Sequence, residues 1–109
     1  MMQRFLAFSA DVAAFEVFEL QGTGQAQAYL DAIVSVVGTP LLEDLLDTYD
    51  RAPPPQCSDR TERDAFLRRE IFGDARLGPV ARNVVKLWYV GIWYELPRTW
   101  IDAYGARRT

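Results

Sequence analysis

The stretch GPVARNVVKLWYVGIWYELP, residues 78–97, decides the fold class of this 109-residue chain. Proline is favoured at the first position of a helix, where its missing N–H is not needed, so Pro79 predicts a helix start. Pro97 disfavours helical geometry at the residue before it, which predicts that the helix ends near Leu96. A helix that is apolar around most of its circumference is buried on most sides. We therefore expect this helix to lie within a helical core or against a partner.

Four other segments repeat apolar residues at helical spacing and are separated by glycine or proline. They are residues 4–15, residues 24–37, a helix that starts at Thr39, and residues 59–72. No alternation typical of strands and no internal repeat is present. The sequence therefore predicts an all-α protein, a single domain over residues 1–109 with about five helices.

Polar residues, glycine and proline predict where several of these helices begin and end. Residues 18–24 contain two glycines and are predicted to interrupt the helices. Thr23 is expected to cap the helix over 24–37, and Gly38 to end it. Thr39 is expected to cap the next helix, with Pro40 at its first position.

Most charged residues are predicted to keep helix faces in contact with water. In the first helix, Asp11 lies opposite the phenylalanines and is assigned to the solvent side. The segment 59–72 carries eight charged residues beside a narrow apolar side, and most of these too are assigned to a solvated face.

Composition excludes several kinds of site. Histidine is absent and cysteine occurs once, as Cys57. This excludes serine–histidine and cysteine–histidine nucleophile pairs and a proximal-histidine haem, and it makes a zinc site improbable. No glycine-rich phosphate loop is present, because Gly22 and Gly24 lack the third glycine and the preceding strand. We predict no catalytic residue, no cofactor site and no metal site in this chain.

Charge and hydropathy narrow the range of partners. The formal net charge is −3, which argues against a nucleic-acid or anionic-lipid partner. The longest apolar run is shorter than the roughly 20 residues that a membrane-spanning helix needs. Residues 1–11 also lack the basic segment and apolar run of a leader peptide.

The aromatic side chains predict a surface that binds another protein. Three tryptophans, five tyrosines and six phenylalanines are more large rings than a small helical core needs. Tryptophan, tyrosine and arginine dominate binding energy at protein interfaces. Trp88 is assigned to the core. Burial in the chain's own core remains an alternative for Trp93, Tyr94 and Trp100, and internal pairing with Asp74 or Glu95 remains one for Arg82 and Lys86. The predicted interface residues are Arg82, Lys86, Tyr89, Trp93, Tyr94 and Trp100.

Two segments carry a resemblance to a known family. They are FELQGTGQ at residues 18–25, followed by AYLD at 28–31, and ARNVVKLWYVGIW at residues 81–93. The chain resembles the small subunit of bacterial membrane-associated FAD-dependent sugar and polyol dehydrogenases, the complexes that oxidise glucose, sorbitol, fructose or gluconate. The resemblance extends over nearly the whole chain.

The resemblance implies a helical, non-catalytic subunit that helps the flavoprotein to fold and carries it across the membrane by the twin-arginine route. It implies two partners, an FAD-containing catalytic subunit and a multihaem cytochrome c, and no cofactor bound by this chain. It also implies a periplasmic protein held at the membrane through the complex. Because this sequence lacks the family's twin-arginine leader, a cytoplasmic location stays open.

Three alternatives also remain open. The chain can be a stand-alone helical module that binds an unrelated partner or itself through the same aromatic residues. A small enzyme that uses paired carboxylates such as Asp44 and Asp47 is the weakest of the functional alternatives, because no supporting groups are visible around them. Cys57 lies two residues after three successive prolines. It either forms an intersubunit disulfide in an exported complex or is a free thiol on a loop.

Overall fold

A computed structural model describes residues 1–53, 60–91, 96 and 98–104, and within these residues the protein is helical without a strand. The all-α prediction is confirmed, although the described part holds more helices than the five expected. They are α1 (Met2–Ala13), α2 (Val17–Gly22), α3 (Ala26–Val37), α4 (Thr39–Asp50), α5 (Arg60–Leu67), α6 (Leu77–Val90) and α7 (Arg98–Tyr104), with a π-helical segment, Arg68–Phe72, continuing α5.

Helix α6 lies at the centre of one hydrophobic cluster to which most of the other helices contribute. It packs against α1, α4 and the π-helical segment. Burying a large aliphatic or aromatic side chain contributes about 1.5–3 kcal/mol, so this cluster is the main source of stability. Side chains with no exposed surface include Phe5, Phe8, Ile33, Leu42, Leu45, Leu46, Ile71, Val80 and Val84.

The start of α6 is set by Asp74 rather than by proline. The Asp74 Oδ1 atom accepts hydrogen bonds from the backbone N–H groups of Arg76 (2.8 Å) and Leu77 (2.9 Å). These are among the N–H groups that a helix start leaves without an internal partner. Pro79 therefore occupies the third helical position. Its missing N–H still costs no hydrogen bond there, because the first turn of a helix has no internal acceptor for these groups.

The end of α6 was predicted wrongly. The helix ends at Val90 because Gly91 takes a left-handed conformation with φ of 73°, and its N–H donates to the Leu87 carbonyl at 2.8 Å. Glycine adopts this conformation without the steric penalty that other residues incur. The glycine thus ends the helix before the effect of Pro97 is felt.

Three of the other boundaries also differ from the predictions. Residues 18–24 are not simply a break, because α2 forms there with a capping box between Glu16 and Glu19. The Thr23 hydroxyl accepts from the Gln25 N–H at 3.1 Å, but α3 begins only at Ala26. Gly38 ends α3 as predicted and also serves as the N-cap of α4, so Thr39 is the first residue of α4 and not its cap.

The π-helical segment and α6 approach each other so closely that glycine is required. A Cβ atom on Gly78 would lie 2.6 Å from the Phe72 carbonyl oxygen. The same carbonyl accepts a hydrogen bond from Arg82 Nη1 at 3.0 Å. This contact fixes the rotation of α6 about its axis and so decides which of its side chains face the core.

In the part of the chain that the structure describes, none of the helices combines the length and the apolar character needed to cross a bilayer.

Candidate protein-interaction surface

One side of α6 faces solvent and forms the candidate site. Its residues are Arg82, Lys86, Tyr89 and Val90, which we call the outer face of α6; all four are exposed. At 3.6 residues per turn they fall within about 100° of the helix circumference. Tyr89 is 59% exposed and Val90 is 53% exposed, although both are large and mainly apolar. The other sides of the helix are buried or half-buried within the chain, and this stripe is the part that the described residues leave uncovered.

The Tyr89 ring is held in place although it is exposed. Its hydroxyl donates a hydrogen bond of 2.6 Å to the Ala13 carbonyl, the last residue of α1. Its ring lies 5.2 Å from the Phe15 ring, centroid to centroid. Between these two contacts, Ala14 has a φ of 62°, a left-handed conformation that non-glycine residues rarely adopt. The chain reversal at Ala14 thus brings Phe15 to Tyr89 and leaves an ordered aromatic surface.

The outer face of α6 is also basic. Lys86 lies one helical turn after Arg82, and Tyr89 lies about one turn after Lys86. The Arg82 bond to Phe72 uses a neutral carbonyl as acceptor, so that bond leaves the guanidinium charge uncompensated. Within the described residues no carboxylate forms an ion pair with Arg82. Two basic side chains thus precede the aromatic and aliphatic ones along this face, on a chain whose net charge is −3.

Only part of the predicted interface lies on this face. Arg82, Lys86 and Tyr89 do. Trp93, Tyr94 and Cys57 lie outside the described residues, so their assignments stay predictions.

Trp100 belongs to the core. It is 4% exposed, and its Nε1–H donates to the Arg76 carbonyl at 2.8 Å. An indole enclosed to this degree by its own chain cannot reach a partner, so placing Trp100 in the interface was wrong. The sequence could not reveal this, because the start of α7 and the position of the Arg76 carbonyl depend on tertiary packing.

Trp88 packs at the edge of the hydrophobic cluster. Its ring lies 4.8 Å from the Tyr29 ring in an edge-to-face arrangement and 6.2 Å from the Phe5 ring. The side chain is partly buried, in line with its assignment to the core. The aromatic rings of α6 thus divide between two sides, with Trp88 inside and Tyr89 outside.

Sequence reasoning missed one exposed aromatic residue, Phe18. It lies on α2 and is 71% exposed, the largest exposed fraction of any large apolar side chain in the described residues. It comes three residues after Phe15, the partner of the Tyr89 ring. The helix that carries it has only six residues, which is too short for helical spacing to be recognised.

A buried charged cluster joins α1, α4 and α5. The Arg63 guanidinium donates to Asp11 Oδ2 through Nη2 (2.6 Å) and Nε (3.0 Å) and to the Tyr49 hydroxyl (2.8 Å). Its remaining Nη1 donates to the Pro53 carbonyl at 2.7 Å. Both Asp11 and Arg63 were assigned to solvated faces, and the structure contradicts this.

The groups of this cluster satisfy one another. The Tyr49 hydroxyl donates to Asp11 at 3.0 Å, and burial, followed by the Asp11 charge, raises the pKa of Tyr49 to about 12. A shallow groove of about 710 Å³ opens over the cluster, with alanines of α1 in its wall. Because the carboxylate, the hydroxyl and the guanidinium are all engaged, the cluster holds three helices together and presents no unpaired acid or base.

The paired carboxylates considered for catalysis are also engaged. Asp44 forms an ion pair with Arg76 at 2.9 Å, and Asp47 forms one with Arg4. The two carboxylates thus pair with different arginines, of which Arg4 also pairs with Asp50, and both lie on the exposed side of α4. In the described part of the chain, no group of three histidine, cysteine, aspartate or glutamate side chains is placed to hold a metal ion.

No family model matches the chain, and neither a curated protein nor a solved structure matches it.

Proposed function

We propose that this chain is the non-catalytic small subunit of an FAD-dependent sugar or polyol dehydrogenase complex. It binds the flavoprotein catalytic subunit, stabilises it during folding and assembly, and assists its export. The observation that carries the proposal is the ordered, solvent-exposed Tyr89 ring beside Val90 and two cationic side chains.

An exposed ring that is already ordered binds a partner at a lower entropic cost. Association must immobilise interface side chains, at about 0.5–1.5 kcal/mol for each mobile one. The hydrogen bond to Ala13 and the contact with Phe15 hold Tyr89 before any partner arrives. Tyrosine and arginine are also the residue types that most often dominate interface energies. The outer face of α6 therefore has the composition and the order of a binding surface.

In this proposal the chemistry belongs to the partner. The flavoprotein supplies FAD and oxidises the sugar, and a multihaem cytochrome c subunit accepts the electrons. This chain supplies contact area and contributes no ligand to the flavin. The complex is periplasmic and is held at the membrane through its other subunits.

The experiment is a search of the neighbouring open reading frames for a glycine-rich FAD-binding sequence, followed by co-expression of this chain with the flavoprotein that such a frame encodes. The chain carries an affinity tag, and the purified complex is assayed for bound flavin and for sugar-dependent dye reduction. We expect a stoichiometric yellow complex and little active flavoprotein when this chain is omitted. A flavoprotein that folds, binds FAD and is equally active without the chain, and does not bind it, would refute the proposal.

A stand-alone interaction module is the competing function, and the same purification separates the two. If the chain is a stand-alone module, we expect it to elute without flavin, either as a homo-oligomer or with an unrelated protein. Light scattering on the purified chain gives its mass. A homo-oligomer that persists when the flavoprotein is present favours the module.

A further inference from the structure

We propose that the groove between α1 and α2 docks a basic, amphipathic helix of the flavoprotein subunit. Lysine or arginine side chains of that helix pair with Glu16 and Glu19, and its apolar side chains lie against the alanines of α1. This inference rests on the proposed function and adds to it a second contact area and the charge of the partner segment.

The groove has the shape to receive one side of a helix. It is the shallow groove of about 710 Å³ over the Arg63 cluster, and Ala7, Ala10 and Ala14 lie in its wall. Ala7 and Ala10 are one turn apart on α1, and Ala14 follows directly after the end of that helix. From Ala7 to Ala14 the chain rises about 10 Å, which is two turns of a helix. Short side chains let a second helix approach closely, because the distance between helix axes depends on the side chains at the contact.

Exposed apolar surface adjoins these alanines. Val17 lies in the wall of the groove and is 36% exposed, and Phe18, the next residue, is 71% exposed. Phe15 also lies in the wall, and its ring contacts the Tyr89 ring at 5.2 Å between centroids. The groove is therefore continuous with the outer face of α6, and one partner can cover both.

Two carboxylates in the wall determine the charge of the occupant. Glu16 and Glu19 form the capping box of α2, in which Glu19 Oε1 accepts the Glu16 backbone N–H at 2.7 Å. Backbone N–H groups are neutral donors, so these bonds leave both negative charges in place. The start of a helix supplies only about half a positive elementary charge, which is less than the two negative charges beside it. Both side chains are exposed, and within the described residues neither forms an ion pair.

The other charged groups that line the groove do not change its sign. Arg63 and Asp11 are paired at 2.6 Å, and their side chains are only 8% and 10% exposed. Their opposite charges cancel, so the groove is negative because of Glu16 and Glu19. Complementary charges speed association and exclude wrong partners, and a basic segment is therefore favoured over an acidic one.

Removal of the two charges tests the electrostatic part of the proposal. Glutamine at both positions keeps the capping box, since its amide oxygen can accept the same hydrogen bonds. We expect the double variant Glu16→Gln, Glu19→Gln to weaken capture of the purified, FAD-containing catalytic subunit about tenfold, with less dependence on salt than the wild type shows. The matched control is Asp31→Asn with Glu43→Gln, because it removes two exposed carboxylates that lie outside the groove.

Obstruction of the groove tests the geometric part. Ala7 is exposed, so the phenyl ring of Ala7→Phe fills space in the groove without replacing a buried side chain. We expect capture to weaken about tenfold, because the alanines can then no longer contact the partner helix closely. Ala28→Phe is the matched control, since Ala28 is an exposed alanine on α3 outside the groove.

Folding of each isolated variant is verified by thermal melting followed by circular dichroism. If the double glutamine variant fails to fold, Glu19→Gln alone replaces it. If Ala7→Phe fails to fold, Ala7→Leu replaces it, since leucine is also large enough to obstruct the groove.

Photochemical cross-linking identifies the partner segment. The photoreactive analogue p-benzoylphenylalanine takes the place of Phe18, whose exposed side chain tolerates the larger ring. Irradiation of the complex, followed by mass spectrometry of its peptides, locates the attachment. We expect it on a flavoprotein segment with lysine or arginine at helical spacing. Attachment to an acidic segment or to a second copy of this chain, or no attachment to the flavoprotein, would overturn the inference.

The outcomes separate the inference from the proposed function. If the wild-type chain does not capture the flavoprotein, the proposed function fails and the inference fails with it. If the wild type captures it, the inference requires both the charge-removal variant and the obstructing variant to capture it more weakly than their controls. If either of them captures it as well as the wild type does, the function stands and the inference is overturned.

Discussion

The Arg63 guanidinium lies 2.6 Å from the Asp11 carboxylate across 52 residues of sequence, and these side chains are only 8% and 10% exposed. With Tyr49 and the Pro53 carbonyl, the pair joins α5 to α1 and α4. Two charges this well buried are tolerated because each has its partner within hydrogen-bonding distance. The pair therefore controls how α5 is held to the rest of the protein.

Removing one side of this pair should destabilise the protein strongly. Arg63→Met leaves the Asp11 carboxylate buried without its cation, so we expect the free energy of unfolding to fall by about 3–5 kcal/mol. Denaturant unfolding followed by circular dichroism measures it. Arg69→Met is the control, because Arg69 forms an exposed pair with Glu70 and should change stability by less than about 1 kcal/mol. Adding Asp11→Leu to Arg63→Met should restore part of the lost stability, because no charge is then left buried. If Arg63→Met and Arg69→Met lower the free energy of unfolding equally, the role assigned to the buried pair is contradicted.

Stability should fall at alkaline pH because of Tyr49. Burial and the Asp11 charge raise its pKa from 10.0 to about 12 in the folded protein. Between these values the unfolded chain has lost the phenolic proton and the folded protein still holds it. The free energy of unfolding therefore decreases as the pH rises from 10 to 12. Denaturation midpoints across this range measure the slope, and Tyr49→Phe should show a shallower one. The prediction fails if both slopes are the same.

A methyl group at position 78 should disturb the packing of α6. The added Cβ of Gly78→Ala would lie 2.6 Å from the Phe72 carbonyl oxygen, and backbone must move to relieve the contact. We expect a loss of about 1–3 kcal/mol. Gly22→Ala is the matched control, because a Cβ there meets no atom within 4 Å and removes flexibility from the unfolded chain. Unchanged or raised stability for both variants would show that α6 and the π-helical segment are not tightly fitted.

Tyr89 and Trp100 should respond differently to truncation. Tyr89→Ala removes an exposed ring, so assembly with the flavoprotein should drop far more than the stability of the isolated chain. Trp100→Ala removes a buried indole and its hydrogen bond to Arg76, and we expect it to lower stability by about 3–5 kcal/mol. Complex yield and the melting temperature of the free chain are measured for both. Equal losses of stability would place Tyr89 in the core.

Much of the fold was predictable because local chemistry sets it. Apolar residues at helical spacing located α1, α3, α4 and α6, and Gly38 was predicted correctly as the end of α3. Helix ends were less predictable where two signals compete, as at Gly91 and Pro97. The nearer signal, a glycine in the left-handed conformation, ended α6.

The candidate site was predicted in part. Lys86 and Tyr89 are on the exposed side of α6, as an interface requires, whereas Trp100 is enclosed. Sequence spacing gives the angle of a side chain around its own helix but not which other helices surround it. Phe18 was missed for a related reason, since its helix is too short to show a period.

The sequence by itself determined the helical class, the positions of most helices and the absence of histidine chemistry, because these depend on residues close together in the chain. Only the tertiary structure decided that Asp11 and Arg63 are buried together and that Tyr89 faces solvent beside Phe15. A charged residue is costly to bury alone and tolerable when its partner arrives from a distant helix. Packing between helices determines which residue becomes that partner. The spacing of residues within any one helix does not determine this packing.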